Sequence, residues 1–152
     1  MPNIIWEKPY YYKMFISKWG IAFIITFGYC KNSESIYKDK SKFIENGIYF
    51  YDLNNQSDNY CLLLEKDFNY LKYGLKLVSK QIVNHCIYKK DTLILLKEIK
   101  YDLCYFQKEA LVDAVIRWAA KTFLFLFLRP QITFDKKSNQ YLFDFTNIDC
   151  NL

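Results

Sequence analysis

His85 and Cys86 stand side by side, and a cysteine with a histidine is the pairing that a thiolate nucleophile and its base would use. On a helix, however, neighbouring side chains project about 100° apart, so these two cannot form a hydrogen-bonded dyad, and a helix-end histidine is the simpler account. The aspartates Asp52, Asp67, Asp91, Asp135 and Asp144 are dispersed over expected caps, strand ends and turns, where a carboxylate bonds backbone N–H groups. Cys30, Cys61, Cys86, Cys104 and Cys150 are odd in number, far apart and without a Cys-x-x-Cys pair, which suits neither structural zinc nor a disulfide framework. They read as reduced small hydrophobes in apolar runs, with Cys150 the most exposed thiol. Gly20, Gly28, Gly47 and Gly74 trace no phosphate-cradling loop. The sequence therefore implies no catalytic residue, cofactor or metal.

Binding chemistry is better represented. Lys72, Lys76 and Lys80 recur every four residues, a stripe that can steer an acidic partner or run along phosphates. The alternating Tyr49 and Tyr51, and the triplet Tyr10-Tyr11-Tyr12, offer aromatic surface for stacking or for anchoring an interface. The net charge of +5 rests on lysine, because Arg117 and Arg129 are the only arginines, and this scarcity argues against nucleic-acid readout by arginine forks.

The elements that would position these residues follow from periodicity. With 152 residues, 52% of them hydrophobic and 20% aromatic, the chain holds enough apolar material for one domain spanning 1–152 with a sizeable core. Residues 21–29 form a β-branched and aromatic run expected to be a central strand buried on both faces. Residues 47–52 and 59–64 flank a polar stretch in the pattern of a hairpin. From Asp67, an expected N-cap, Phe68, Leu71, Leu75, Val78 and Ile82 describe one apolar helical stripe ending near His85. Residues 91–99 read as a strand. A second helix opens at Gln107, with Leu111, Val115, Trp118 and Thr122 inward and Glu109, Asp113, Arg117 and Lys121 as a charged outer ladder, and Pro130 closes that region. Residues 132–134 and 141–145 form another hairpin. This order predicts an α+β domain with a largely antiparallel sheet and two main helices packed on one face.

The run 20–30 imitates the apolar core of a signal peptide, but Glu7 lies in the leader and Tyr29 is too bulky for a cleavage site, so a cytoplasmic protein is expected. The run 122–128 is far shorter than a bilayer span needs.

The segment Ile99-Lys100-Tyr101-Asp102-Leu103-Cys104-Tyr105-Phe106-Gln107-Lys108-Glu109-Ala110-Leu111, leading to a helix that contains Trp118, resembles a strand-turn-helix of small immunity proteins from bacterial contact-dependent growth inhibition and related polymorphic toxin systems. The resemblance covers residues 99–118. It implies a non-enzymatic cytoplasmic protein, needing no membrane, that binds a cognate toxin domain tightly and covers its working surface. Tyr49, Tyr51, Lys72, Lys76 and Lys80 are the expected contact residues. Immunity proteins against basic nucleases are often acidic, so a +5 chain implies an acidic or neutral toxin, or a locally acidic patch. The alternative expectation is a nucleic-acid-binding accessory protein of a mobile element.

Overall fold

The apolar run expected to be a central strand is β3, Gly20–Lys31, the axis of a six-stranded sheet. In this computed structural model, residues 3–54, 63–146 and 148 are described. β1 (Ile5–Trp6) and β2 (Tyr10–Phe15) share one edge of β3, both antiparallel. β6 (Thr92–Tyr101) runs antiparallel along the other edge. β5 (Ile48–Asp52) lies parallel to β6, and β4 (Lys42–Glu45) completes the sheet as an antiparallel edge strand. Helices α1 (Glu65–Leu77), α2 (Ser79–His85) and α3 (Ala110–Phe123) share one core with one face of the sheet. The architecture is the α+β one expected, mostly antiparallel, with a single parallel pair among the described strands.

The hairpin expected from 47–52 and 59–64 does not form. Residues 59–62 lie outside the described residues, but both edges of β5 are already occupied by β4 and β6. The hairpin is instead β4–β5, turned by Asn46 and Gly47 with φ of 56° and 84°. Two consecutive positive-φ residues match the twist of the flanking strands, and Asn-Gly meets that demand with little strain. Between Thr26 and Phe27 the β3–β6 register shifts by one residue. That bulge brings Leu96 and Ile99, three positions apart, into the same buried core, where an unbroken pleat would place them on opposite faces.

The stripe from Phe68 to Ile82 is buried as expected, yet it belongs to two helices that break at Val78. Ser79 Oγ donates to the Lys76 carbonyl at 2.9 Å, taking an acceptor at the end of α1. Asp67 is not the N-cap; its carboxylate sits in the first turn and accepts the Leu64 N–H at 2.8 Å. Gly74 brings α1 against α3, where a Cβ would stand 2.3 Å from Val115 Cγ1.

α3 corrects the outward ladder. Asp113 is fully buried and Arg117 is four-fifths buried, because β2 lays Tyr12 against this side of the helix while the sheet and α1 take the others. Trp118 is buried, its ring 4.6 Å from that of Phe27. α3 ends at Leu124, in the left-handed conformation with φ 59°, six residues before Pro130. Beyond it Phe125 and Phe127 turn inward while Leu124, Leu126 and Leu128 face solvent.

β7 (Gln131–Asp135) and β8 (Gln140–Asp144) form the expected second hairpin as a separate sheet. Gln107 fastens it, accepting the Tyr141 N–H at 2.8 Å and donating to its carbonyl at 2.6 Å. On the opposite face of the main sheet, Cys30, Leu93 and Leu95 are sealed by Tyr37, Tyr49 and Tyr51. Near Ala22 and Ile24 that face is open, with Tyr11 65% exposed. No helix among the described residues is long and apolar enough to cross a membrane.

Candidate functional site

The carboxyl end of β5 lies beside the first turns of α1, and in sheets with a parallel pair such strand ends open into crevices. Here the crevice has a volume of about 460 Å³. Its floor is apolar and well packed: Phe50, Leu63 and Phe68 are all buried, with the two phenyl rings 6.4 Å apart. Its rim is cationic, with Lys40 from the approach to β4, Lys42 from the start of that strand and Lys72 from α1, while Asp52 and Glu65 contribute the acids. The Lys72 ammonium is half-buried, and its pKa lies below the ordinary lysine value, first through burial and then through the like charge of Lys42, against a smaller opposing effect of Glu65. An anionic group seated between the two ammoniums would relieve that repulsion.

Two of the five expected contact residues meet here, Lys72 and Tyr51, the latter stacked on Tyr37 with centroids 4.8 Å apart. Tyr49 does not line the crevice; it packs edge-on to Phe43 on the second face of the sheet. Lys76 and Lys80, on either side of the break at Val78, line a separate recess of about 290 Å³ near Asn46. Lys40 and Lys42 were not singled out by the sequence reading, although Lys38, Lys40 and Lys42 alternate into a strand.

A second polar cluster lies between β2 and α3. Tyr12 donates to Asp113 Oδ2 at 2.7 Å, and Arg117 Nε stands 2.9 Å from the same oxygen. Burial, then the Asp113 charge, pushes the Tyr12 phenol far above its usual range, so it remains a donor. Burial opposes the Arg117 charge, but the Asp113 carboxylate outweighs it and holds the guanidinium above its ordinary value. Asp113 Oδ1 makes no hydrogen bond.

Neither a protein-family profile nor a curated protein matches the chain.

His85 and Cys86 form no dyad: His85 Nδ1 lies 2.8 Å from the Gln81 carbonyl, while buried Cys86 receives the Thr92 hydroxyl at 3.4 Å. Cys104, read as part of an apolar run, is exposed on a 3₁₀ turn, and Cys150 and Cys61 lie outside the described residues. The aspartates do turn work: Asp52 accepts the Asn54 N–H, Asp135 the Lys137 N–H and Asp144 the Thr146 N–H. No group of three or more His, Cys, Asp or Glu among the described residues is placed to hold a metal ion.

Proposed function

We propose that this protein is an immunity protein that neutralises a cognate toxin domain by tight one-to-one binding, with the β4–β5–α1 crevice as its docking surface. The observation that carries the reading is the apposition of Lys42 and Lys72 above the apolar floor of Phe50 and Phe68. Desolvated aromatic contacts supply anchors in protein interfaces, and rim charges set encounter rate and partner choice. Lys40, Lys42 and Lys72 outnumber Asp52 and Glu65 around the crevice, which favours an acidic insertion and agrees with the net charge of +5 and with the acidic or neutral toxin that such a charge implies. The strand-turn-helix at 99–118 supports the same class: β6 ends at Tyr101, a 3₁₀ turn spans Leu103–Tyr105, and α3 follows.

Co-expression with candidate toxin domains from the flanking reading frames tests the reading. Growth should be rescued and the pair should copurify at one-to-one ratio. The double charge reversal Lys42→Glu with Lys72→Glu should slow association by about tenfold or more at low salt, with an unchanged melting temperature. Rescue at strongly substoichiometric protein, or an unaltered association rate in that variant, overturns it.

A different surface favours the nucleic-acid reading. Tyr11, Lys13 and Lys100 line a shallow recess of about 420 Å³ on the open part of the second sheet face, an arrangement suited to stacking a base beside cations. Steeply salt-dependent binding of single strands, abolished by Tyr11→Ala, would decide for it.

A further inference from the structure

The only two arginines of the chain, twelve positions apart in sequence, line one pocket. Arg117 and Lys121 descend one side of α3, Arg129 approaches from the extended segment beyond that helix, and Tyr10 comes from β2. Ala120, Phe125 and Phe127 supply an apolar wall, and the volume is about 270 Å³. Arg117 and Lys121 stand one turn apart, a like-charge spacing that costs a helix stability. Lys121 and Arg129 make no ion pair among the described residues. Among the described residues no acid lines the pocket itself; Asp113, fully buried behind Arg117, lies 2.9 Å from its Nε edge and holds the guanidinium at the pocket wall. Tyr10, kept protonated chiefly by burial, interacts with both arginines.

We propose that this pocket binds a phosphate monoester whose organic part is small and apolar. The charge balance selects phosphate over carboxylate: three cations less the Asp113 carboxylate leave two positive charges, which match a phosphate monoester near neutral pH (about −1.5 to −2) rather than a carboxylate of −1. Arginine forks grip phosphate oxygens bidentately, and Phe125 and Phe127 cover the remainder of the ligand. The pocket is remote in sequence from the β4–β5–α1 crevice, and the inference does not depend on the toxin reading.

Phenyl phosphate, benzoate and inorganic phosphate titrated separately into isotopically labelled protein at low ionic strength test it. Phenyl phosphate should shift the amide resonances of Tyr10 and of residues 117–129, and bind at least about tenfold more tightly than benzoate. Arg129→Gln and Lys121→Gln, both at exposed positions, should each weaken phenyl phosphate by about tenfold while Lys40→Gln leaves it unchanged. The proposal is overturned if the resonances stay in place up to about 10 mM phenyl phosphate, a concentration that detects even very weak binding. It is equally overturned if benzoate binds as tightly, or if the two variants bind like the parent. Inorganic phosphate matching phenyl phosphate removes the apolar part of the assignment.

Discussion

Replacing Gly74 by alanine sets two effects of opposite sign against each other. In an exposed helix the change stabilises by about 1 kcal/mol, because glycine loses more backbone freedom on folding. At this position the new methyl would stand 2.3 Å from Val115 Cγ1 and 2.9 Å from the Val112 carbonyl oxygen. Ordinary carbon contacts lie at about 3.5–4.0 Å, so more than about 1 Å has to be found. Val115 is fully buried and on a helix, where its χ1 has one favoured rotamer, and Val112 O is backbone, so neither can swing aside. The helices must separate, and overpacking of this kind costs about 1–3 kcal/mol. With the propensity gain subtracted from the upper part of that range, Gly74→Ala should destabilise by about 1–2 kcal/mol, or lower the melting temperature by about 2–8 °C for a chain of this size. Denaturant unfolding followed by tryptophan fluorescence measures it. Combined with Val115→Ala, which deletes the nearer obstacle, the loss should be smaller than the sum of the single losses by about 1 kcal/mol, the signature of a shared contact. A Gly74→Ala protein as stable as the parent or more so would refute the close approach of α1 to α3.

Trp118→Ala should cost about 3–5 kcal/mol in the same assay, whereas Trp118→Phe should cost clearly less, because the buried indole Nε1 has no hydrogen-bond partner to lose. The Asp135 carboxyl titrates below its ordinary value, held there first by the Ser138 hydroxyl and then by the Lys137 N–H. A depressed folded pKa gives stability that is present above the unfolded value and lost as pH falls through the folded one. Ser138→Ala should therefore move the Asp135 midpoint upward in a carbon-detected NMR titration, and an unmoved midpoint would show that the hydroxyl is not its partner.

Much of the fold is legible because local pattern and final environment agree. β3 is largely apolar and β6 opens with the buried run Leu93-Ile94-Leu95-Leu96, the two pairing along the middle of the sheet, and residues 131–144 announce their hairpin through a polar turn between alternating strands. The failures occur where distant contacts decide. Asn46-Gly47 marks a hairpin by turn chemistry, but the reading of 47–64 paired β5 with the run after it, and only the parallel match of Ile48–Asp52 to Thr92–Leu96 shows why no room remained there. The triplet Tyr10-Tyr11-Tyr12 reads as aromatic surface because nothing local says that Tyr12 will reach a buried aspartate a hundred residues away. Asp113 and Arg117 look like a solvated ladder for the same reason. At the candidate site, Tyr51 and Lys72 were legible as aromatic and cationic surface, but Lys40 and Lys42 join them only because β4 folds back beside α1.

The pairing of β3 with β6 also bears on the life of the chain before it is complete. β2 and β3 are joined by a short connection and can zip together as soon as both have been made, but the other edge of β3 waits for Thr92–Tyr101, about 60 residues later, which at ribosomal speeds of about 5–20 residues per second is roughly 3–12 seconds. Through that interval the nine-residue edge Phe23–Lys31, with Phe23, Ile25 and Phe27 among its residues, has neither its β6 neighbour nor the cover of α3. An unpaired apolar edge is a template for any other nascent chain. The soluble yield of this protein is therefore governed by how quickly the second half of the sheet is delivered, and slower initiation or added holdase capacity should raise it even where the finished fold is unaltered.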